Sequence, residues 1–386
     1  MITIDYAQHN GEVEKLLAAA KEGKNDRVLM EISCNPRMIL SDPELNSGGI
    51  GFQEYMENPM TMLEIQSRFQ EYAADYLVWD KKMGFSGCDG VFPYADSHNV
   101  AEADYFGSEV VYHGTSSPGT RPSLDESGKY AFIEKPFPEI NRGLMGRAVD
   151  FTAYFEDQKR KGWTYKGKPI GGIGKPCMGT DGPFTVGCCL MGATELCIAL
   201  YEEPEFVRDF LGYITDATIA RIKYFRRLYG ENEKTENFGF ADDSISLLSV
   251  KDYREHVLPF HKKLIRELSY KGDDNSIHLC GNATHLFKTL VDELNITSFD
   301  TGFPVRFGEL IRDLGPDIGI SGGVHVDILL RGDTGEIRAE TKRILEEVKH
   351  LTRKFIIKEA NNLSPCTRPE SLLAMYNAVK EYGSYE

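Results

Sequence analysis

The sequence predicts one (β/α)8 barrel spanning residues 1–386 as a single domain. Three observations lead there. Eight compact apolar runs recur along the chain with helical stretches between them, the alternation that builds parallel strands covered by helices. A length of 386 residues suits one large barrel carrying insertions. Ionisable residues also gather just beyond the ends of the apolar runs, where such a barrel displays its functional groups.

The elements follow in order. Residues 11–22 have helical spacing and form an N-terminal extension ahead of the first strand at 27–32. A helix at 59–80, marked by Met62, Ile65, Phe69 and Tyr76, precedes a second strand at 90–94. Residues 108–146 contain the turn-rich run Ser116-Ser117-Pro118-Gly119 and read as an inserted excursion, a hairpin between strands near 109–113 and 130–134. A helix at 147–161 leads to a glycine-rich strand at 170–174, and helices at 184–200 and 204–228 follow. Further strands are expected at 237–241, 276–280, 296–299, 318–321 and 355–358. The helices expected among and after them cover 250–270, 283–293, 305–313, 335–352 and 369–382.

Composition excludes several classes. A formal charge of −15 and the lack of a basic stripe interleaved with aromatics argue against a nucleic-acid surface. No apolar run reaches bilayer length, and the N-terminus has neither the basic nor the apolar segment of a secretion signal. Eight cysteines without regular spacing suit a reducing cytoplasm, the expected location, rather than a disulfide framework. The run Gly171-Gly172-Ile173-Gly174 lacks the spacing of a phosphate loop. Cys188, Cys189 and Cys197 lie in an apolar helical pattern and read as packing residues.

The chemistry is expected around Asn275-Ser276-Ile277-His278-Leu279-Cys280-Gly281. Residues two apart on a strand project from one face, so His278 and Cys280 point together beyond the strand end. An imidazole beside a thiol is half of a zinc site, although a core histidine next to a buried cysteine gives the same pattern. At the other strand ends the expected rim residues are Glu31, Arg37, Asp96, His98, Asp242, Asp243, Asp300 and His325, with 359–366 closing the series. Asp96 also reads as a helix N-cap.

Several segments in order resemble the uroporphyrinogen decarboxylase superfamily. They are Asp89-Gly90-Val91-Phe92-Pro93-Tyr94-Ala95-Asp96, Gly182-Pro183-Phe184-Thr185, the stretch 248–260, and Ala360-Asn361-Asn362-Leu363-Ser364-Pro365-Cys366-Thr367. The superfamily contains the decarboxylase and zinc-dependent methyltransferases that work with corrinoid proteins. The decarboxylase branch has an arginine-rich segment after strand one for its polycarboxylate substrate. Here that place reads Glu31-Ile32-Ser33-Cys34-Asn35-Pro36-Arg37, with one arginine and an added carboxylate.

His278-Leu279-Cys280-Gly281 instead resembles the methyltransferase His-x-Cys. The resemblance implies zinc held by His278, Cys280 and a second cysteine after strand eight. That cysteine would align near Asn361, whereas the chain has Cys366, so Cys366, Glu31, Asp243 and Glu359 all stand as candidate third ligands. It further implies catalytic roles for Glu31, Asp96 and Asp243, and substrate contacts from Arg37, His98, Asp242, Asp300 and His325. The expected activity moves a methyl group between a small methylated substrate, an O-methyl ether being favoured, and a corrinoid (methylcobamide) on a partner protein. The alternative is a metal-free decarboxylase of the same fold.

Overall fold

Six of the eight expected strands pair in parallel into one sheet. The computed structural model describes residues 4–125 and 127–385. The strands of the sheet are β1 (Leu29–Met30), β4 (Gly239–Ala241), β5 (Asn275–Leu279), β6 (Ile296–Thr301), β7 (Gly319–Val324) and β8 (Phe355–Glu359). Their spatial order is β1–β8–β7–β6–β5–β4. Sequential strands thus lie side by side from β4 to β8, as successive strand–helix units require.

Strand burial alternates where function will need it. In β5, Asn275, Ile277 and Leu279 are buried while Ser276 and His278 reach the other, accessible face. Phe299, Ile320 and Ile357, on neighbouring strands, are buried in the same core. Each such side chain contributes roughly 1.5–3 kcal/mol on leaving water.

The expected strands at 90–94 and 170–174 are reduced to a parallel bridge between Val91 and Ile170. Val91 N–H donates to the Pro169 carbonyl at 2.9 Å, and Gly171 N–H donates to the Val91 carbonyl at 2.9 Å. Glycine is needed at 90, because a Cβ there would stand 2.6 Å from the Pro169 carbonyl oxygen. On the far side Ala241 N–H donates to the Thr180 carbonyl at 3.0 Å, tying this segment to β4.

Helices cover the sheet. Those lying against its strands are Phe287–Leu294, Thr334–Val348 and Pro369–Tyr382. The helices elsewhere in the chain include α1 (Tyr6–Lys21), α2 (Pro59–Tyr76), α3 (Gly143–Arg160), α4 (Pro183–Met191), α5 (Ala193–Glu202) and α6 (Pro204–Leu228). Helix α2 starts where Asn58 accepts from Met60 N–H and Thr61 N–H and Pro59 fills the first turn. The helix expected at 184–200 is two helices, with a 106° bend at Gly192, whose φ of 101° favours glycine. Among the described residues no single helix is long and apolar enough to cross a membrane.

The excursion near 108–146 needs one correction. Strands β2 (Glu109–His113) and β3 (Ser116–Arg121) form its antiparallel hairpin, so the second strand is not at 130–134. The Gly114-Thr115 turn, with Gly114 at φ 63°, closes the hairpin at once. Residues Lys129–Ile133 are instead a short helix that buries Phe132.

Candidate metal centre

The centre forms at the ends of the neighbouring strands β4, β5 and β6, with Lys358 of β8 reaching in from beyond β7. His278 stands opposite Ala241 on one neighbour and Asp300 on the other. Beyond Ala241 the chain turns into a 3-10 segment beginning at Asp243. His278 Nε2 lies 3.0 Å from Cys280 Sγ and 3.9 Å from Asp243 Oδ1. Among the described residues Asp243, His278 and Cys280 form one cluster, with their donor atoms within 4.8 Å of one another. The Cys280 N–H donates to Asp243 Oδ1 at 2.5 Å, an oxygen that keeps a second lone pair to offer.

Behind the imidazole runs a polar chain. His278 Nδ1 lies 2.9 Å from Asp300 Oδ2. Lys358 Nζ donates to Asp300 Oδ1 at 2.9 Å and to Ser33 Oγ at 2.6 Å. Burial works to lower the His278 pKa, but hydrogen bonds to Asp300 and Cys280 outweigh it and hold it up at about 10. Burial works to raise the Asp300 pKa, while His278 and Lys358 pull it below the ordinary carboxylate value.

These residues fit zinc. A thiol, an imidazole and a carboxylate are its customary donors, and ligands around a tetrahedral zinc stand roughly 3.5 Å apart. The separations of 3.0 and 3.9 Å bracket that value. A carboxylate on the far ring nitrogen is the usual support of a metal-binding histidine. Three protein ligands leave a fourth position open.

Cys366 does not join the cluster. Its sulfur lies 3.8 Å from the Ser41 carbonyl, exposed at the surface. The preceding loop is fastened inward, with Leu363 N–H on the Ser33 carbonyl at 2.8 Å and Arg37 on the carbonyls of Asn362 and Leu363 at 3.1 Å. That anchoring carries Cys366 past the mouth, whereas Asn361 lines the cavity beside His278 and Cys280. The cavity measures about 320 Å³ and also takes in Arg37 and His325.

The other expected residues divide. Glu31 is exposed and has a raised pKa, from partial burial first, with Lys358 opposing and Asp300 adding. Asp96 accepts from the Tyr55 hydroxyl and from His98 N–H, both at 2.9 Å, so it keeps a turn-capping role. His98 Nε2 and Arg37 Nε are buried and have no hydrogen-bond partner among the described residues. His325 Nδ1 caps the helix Val326–Arg331 through Asp327 N–H, with its ring edge-on to Phe303 at 4.4 Å.

Asp242 corrects an expectation, since it is fully buried and is not offered to a substrate. Its carboxylate accepts from Phe184 N–H, Thr185 N–H and Thr185 Oγ at 3.1, 2.8 and 2.7 Å, and meets His261 Nε2 at 2.9 Å. It therefore caps α4, which explains the Gly182-Pro183-Phe184-Thr185 motif. A Cβ on Gly182 would sit 2.4 Å from the Ala241 carbonyl oxygen.

Three residues escaped the sequence reading. Lys358 and Ser33 were hidden at the end of an apolar run and in a polar loop. Asp181 precedes the α4 motif, and burial, then Glu102 and Asp243, push its carboxyl up to about 7. The lysine had a signal of its own, as a lone cation on the strand Phe355-Ile356-Ile357-Lys358-Glu359.

The sequence profile of the uroporphyrinogen decarboxylase (URO-D) family matches residues 174–382, more than half of the chain. The chain belongs to that family. A methylated-thiol–coenzyme M methyltransferase of Methanosarcina mazei is 29% identical over 203 residues, 52% of this chain and 51% of that protein. A uroporphyrinogen decarboxylase of Pelodictyon phaeoclathratiforme is 22% identical over 184 residues, 47% of this chain and 51% of that protein. The chain spans about half the length of these curated relatives. A solved methyltransferase structure from Methanosarcina mazei shares the fold, with a TM-score of 0.62 at 17% identity over 96% of this chain and 98% of the other. Relatives bearing the names of both chemistries thus match this chain.

Proposed function

We propose that this chain is a zinc-dependent methyltransferase that moves a methyl group between a small methylated substrate and a corrinoid carried by a partner protein. The observation that carries the reading is the cluster of Asp243, His278 and Cys280. The methyltransferase name of the Methanosarcina relative agrees with it. The proposal includes one domain over 1–386, a closed (β/α)8 wall passing through 90–94 and 170–174, and a cytoplasmic setting. The Val91–Ile170 pairing and the Thr180–Ala241 bond support that closure.

Asp243, His278 and Cys280 would hold the ion, which when bound supplies Lewis acidity at the heteroatom bearing the methyl group. Asp300 occupies Nδ1 of His278 and so presents Nε2 to the ligand position. Lys358 balances the Asp300 charge and ties it to β8. Glu31, accessible and with a raised pKa, is suited to deliver a proton to a leaving oxygen. Asp96, steadied by Tyr55, would orient the substrate from the second strand segment. An O-methyl ether is the substrate we favour, with a methylated thiol as the alternative.

The same rim opposes a porphyrinogen decarboxylase. A polycarboxylate needs free cations, but Arg37 is bonded to two backbone carbonyls and Lys358 to Asp300. Asp243 in the cluster and Glu31, which feels Asp300 and Lys358, add negative charge on this side. The test is zinc content after metal-replete purification, together with methyl transfer from ethers or thioethers to reduced cobalamin. Stoichiometric zinc and transfer that both vanish in His278→Ala support the reading. Porphyrinogen decarboxylation by metal-free protein would overturn it.

A further inference from the structure

The wall between β1 and 90–94 is built in an unusual way. No backbone pairing joins these two segments among the described residues. Two side chains of α2 stand in for the missing strand. Gln70 accepts from Phe92 N–H at 2.8 Å and donates to the Phe92 carbonyl at 3.1 Å. Gln66 accepts from Tyr94 N–H at 2.9 Å and donates to the Tyr94 carbonyl at 2.8 Å. A primary amide offers the same donor and acceptor as a peptide group. Four helical residues rise about 6.0 Å and two strand residues about 6.7 Å, so the spacings match. The edge at 92–94 is thereby satisfied without β1.

This substitution leaves a cleft of about 560 Å³, within the size range of small-molecule sites. Its walls are Phe69, Ala73, Ala74, Trp79, Phe85 and Phe92. Phe92 is 53% exposed, although it is a large aromatic next to the core. Ser33 and Asn362 line the cleft too, and Asn362 also lines the cavity at His278 and Cys280, so the two spaces adjoin. Lys81 places its ammonium over the Trp79 ring at 5.4 Å. Lys82 is paired with Glu14 at 3.0 Å, whereas Lys81 has no carboxylate within ion-pair reach among the described residues. Asp89 is the carboxylate on the same wall.

We propose that this cleft is a binding site for a small aromatic anion, its ring held by the aromatic and alanine walls and its charge met by Lys81. An apolar pocket with one convergent cation is the composition that selects such a ligand. The site is separate from the metal cluster and does not depend on the methyltransferase reading.

Trp79 and Trp163 are the two tryptophans, so a Trp163→Phe variant leaves one indole as a reporter inside the cleft. Benzoate is the probe, titrated against Trp79 fluorescence with benzamide as the neutral isostere. A saturable change is expected in the millimolar range, with benzamide and Lys81→Met each weakening binding about tenfold, the size of one charge-assisted contact. Ala74→Phe, checked for folding by circular dichroism, should abolish the response. His278→Ala should keep it, which separates this site from the metal centre. Absence of a saturable response, or equal affinity for benzamide and in Lys81→Met, would overturn the proposal.

Discussion

The two flanks of this sheet satisfy their backbones in opposite ways. On the β4–β5–β6 side, neighbouring strands pair directly, and the register sets His278 opposite Asp300. Side chains on adjacent paired strands share a face at fixed spacing, so polar groups there are delivered to one another. On the β1 side, Gln66 and Gln70 take the place of a strand, and the result is an apolar opening. Direct pairing concentrates donors suited to a metal; pairing borrowed from a helix leaves room for a ligand.

The largest effect should come from the paired flank. His278→Ala and Cys280→Ser should each remove bound zinc and abolish methyl transfer while near-native circular dichroism persists. One step back, Asp300→Asn and Lys358→Met should weaken zinc about 10- to 100-fold in chelator competition, since they support the imidazole without touching the ion. Equal zinc affinity in these variants would show that the polar chain does not position His278.

The borrowed flank should respond in stability. Gln66→Leu strands the Tyr94 N–H and carbonyl and should cost about 1–3 kcal/mol in denaturant unfolding. It should leave zinc content unchanged. Loss of zinc in this variant would break the proposed independence of the two flanks.

A smaller effect concerns pH. Glu359 is buried at the end of β8 with both oxygens on Ser33 N–H, at 3.0 and 3.1 Å. Burial pushes its carboxyl from 4.5 up to about 8, with Lys358 opposing. A carboxyl raised on folding contributes stability that is full below its unfolded pKa and is lost as pH climbs through the folded one. The melting temperature should therefore fall between about pH 5 and 8, and Glu359→Gln should flatten that slope. An identical slope in the variant would remove Glu359 as its cause.

Much of the paired flank was legible in the sequence. Alternation along 276–280 put His278 and Cys280 on one face, and the ends of apolar runs marked Asp243 and Asp300. The partnership of His278 with Asp300 was not legible, because strand register is set by three-dimensional pairing. Cys366 misled for another reason. Its loop includes Asn361 at φ 130° and Cys366 at φ 65°, turns that no spacing rule anticipates. Asp242 looked like its neighbour Asp243, yet one caps a buried helix and the other faces the site. Gln66 and Gln70 carry no signal of their own in the sequence, since nothing in a sequence shows a side chain acting as a strand.

Zinc-edge X-ray absorption of the metal-replete protein tests the central claim most directly. The ligand set Asp243, His278 and Cys280 predicts a single sulfur per zinc at about 2.3 Å, with nitrogen and oxygen completing the shell. The Cys366→Ser spectrum should superimpose on that of the wild type. Two sulfur ligands in the wild type, with one lost in Cys366→Ser, would contradict the account.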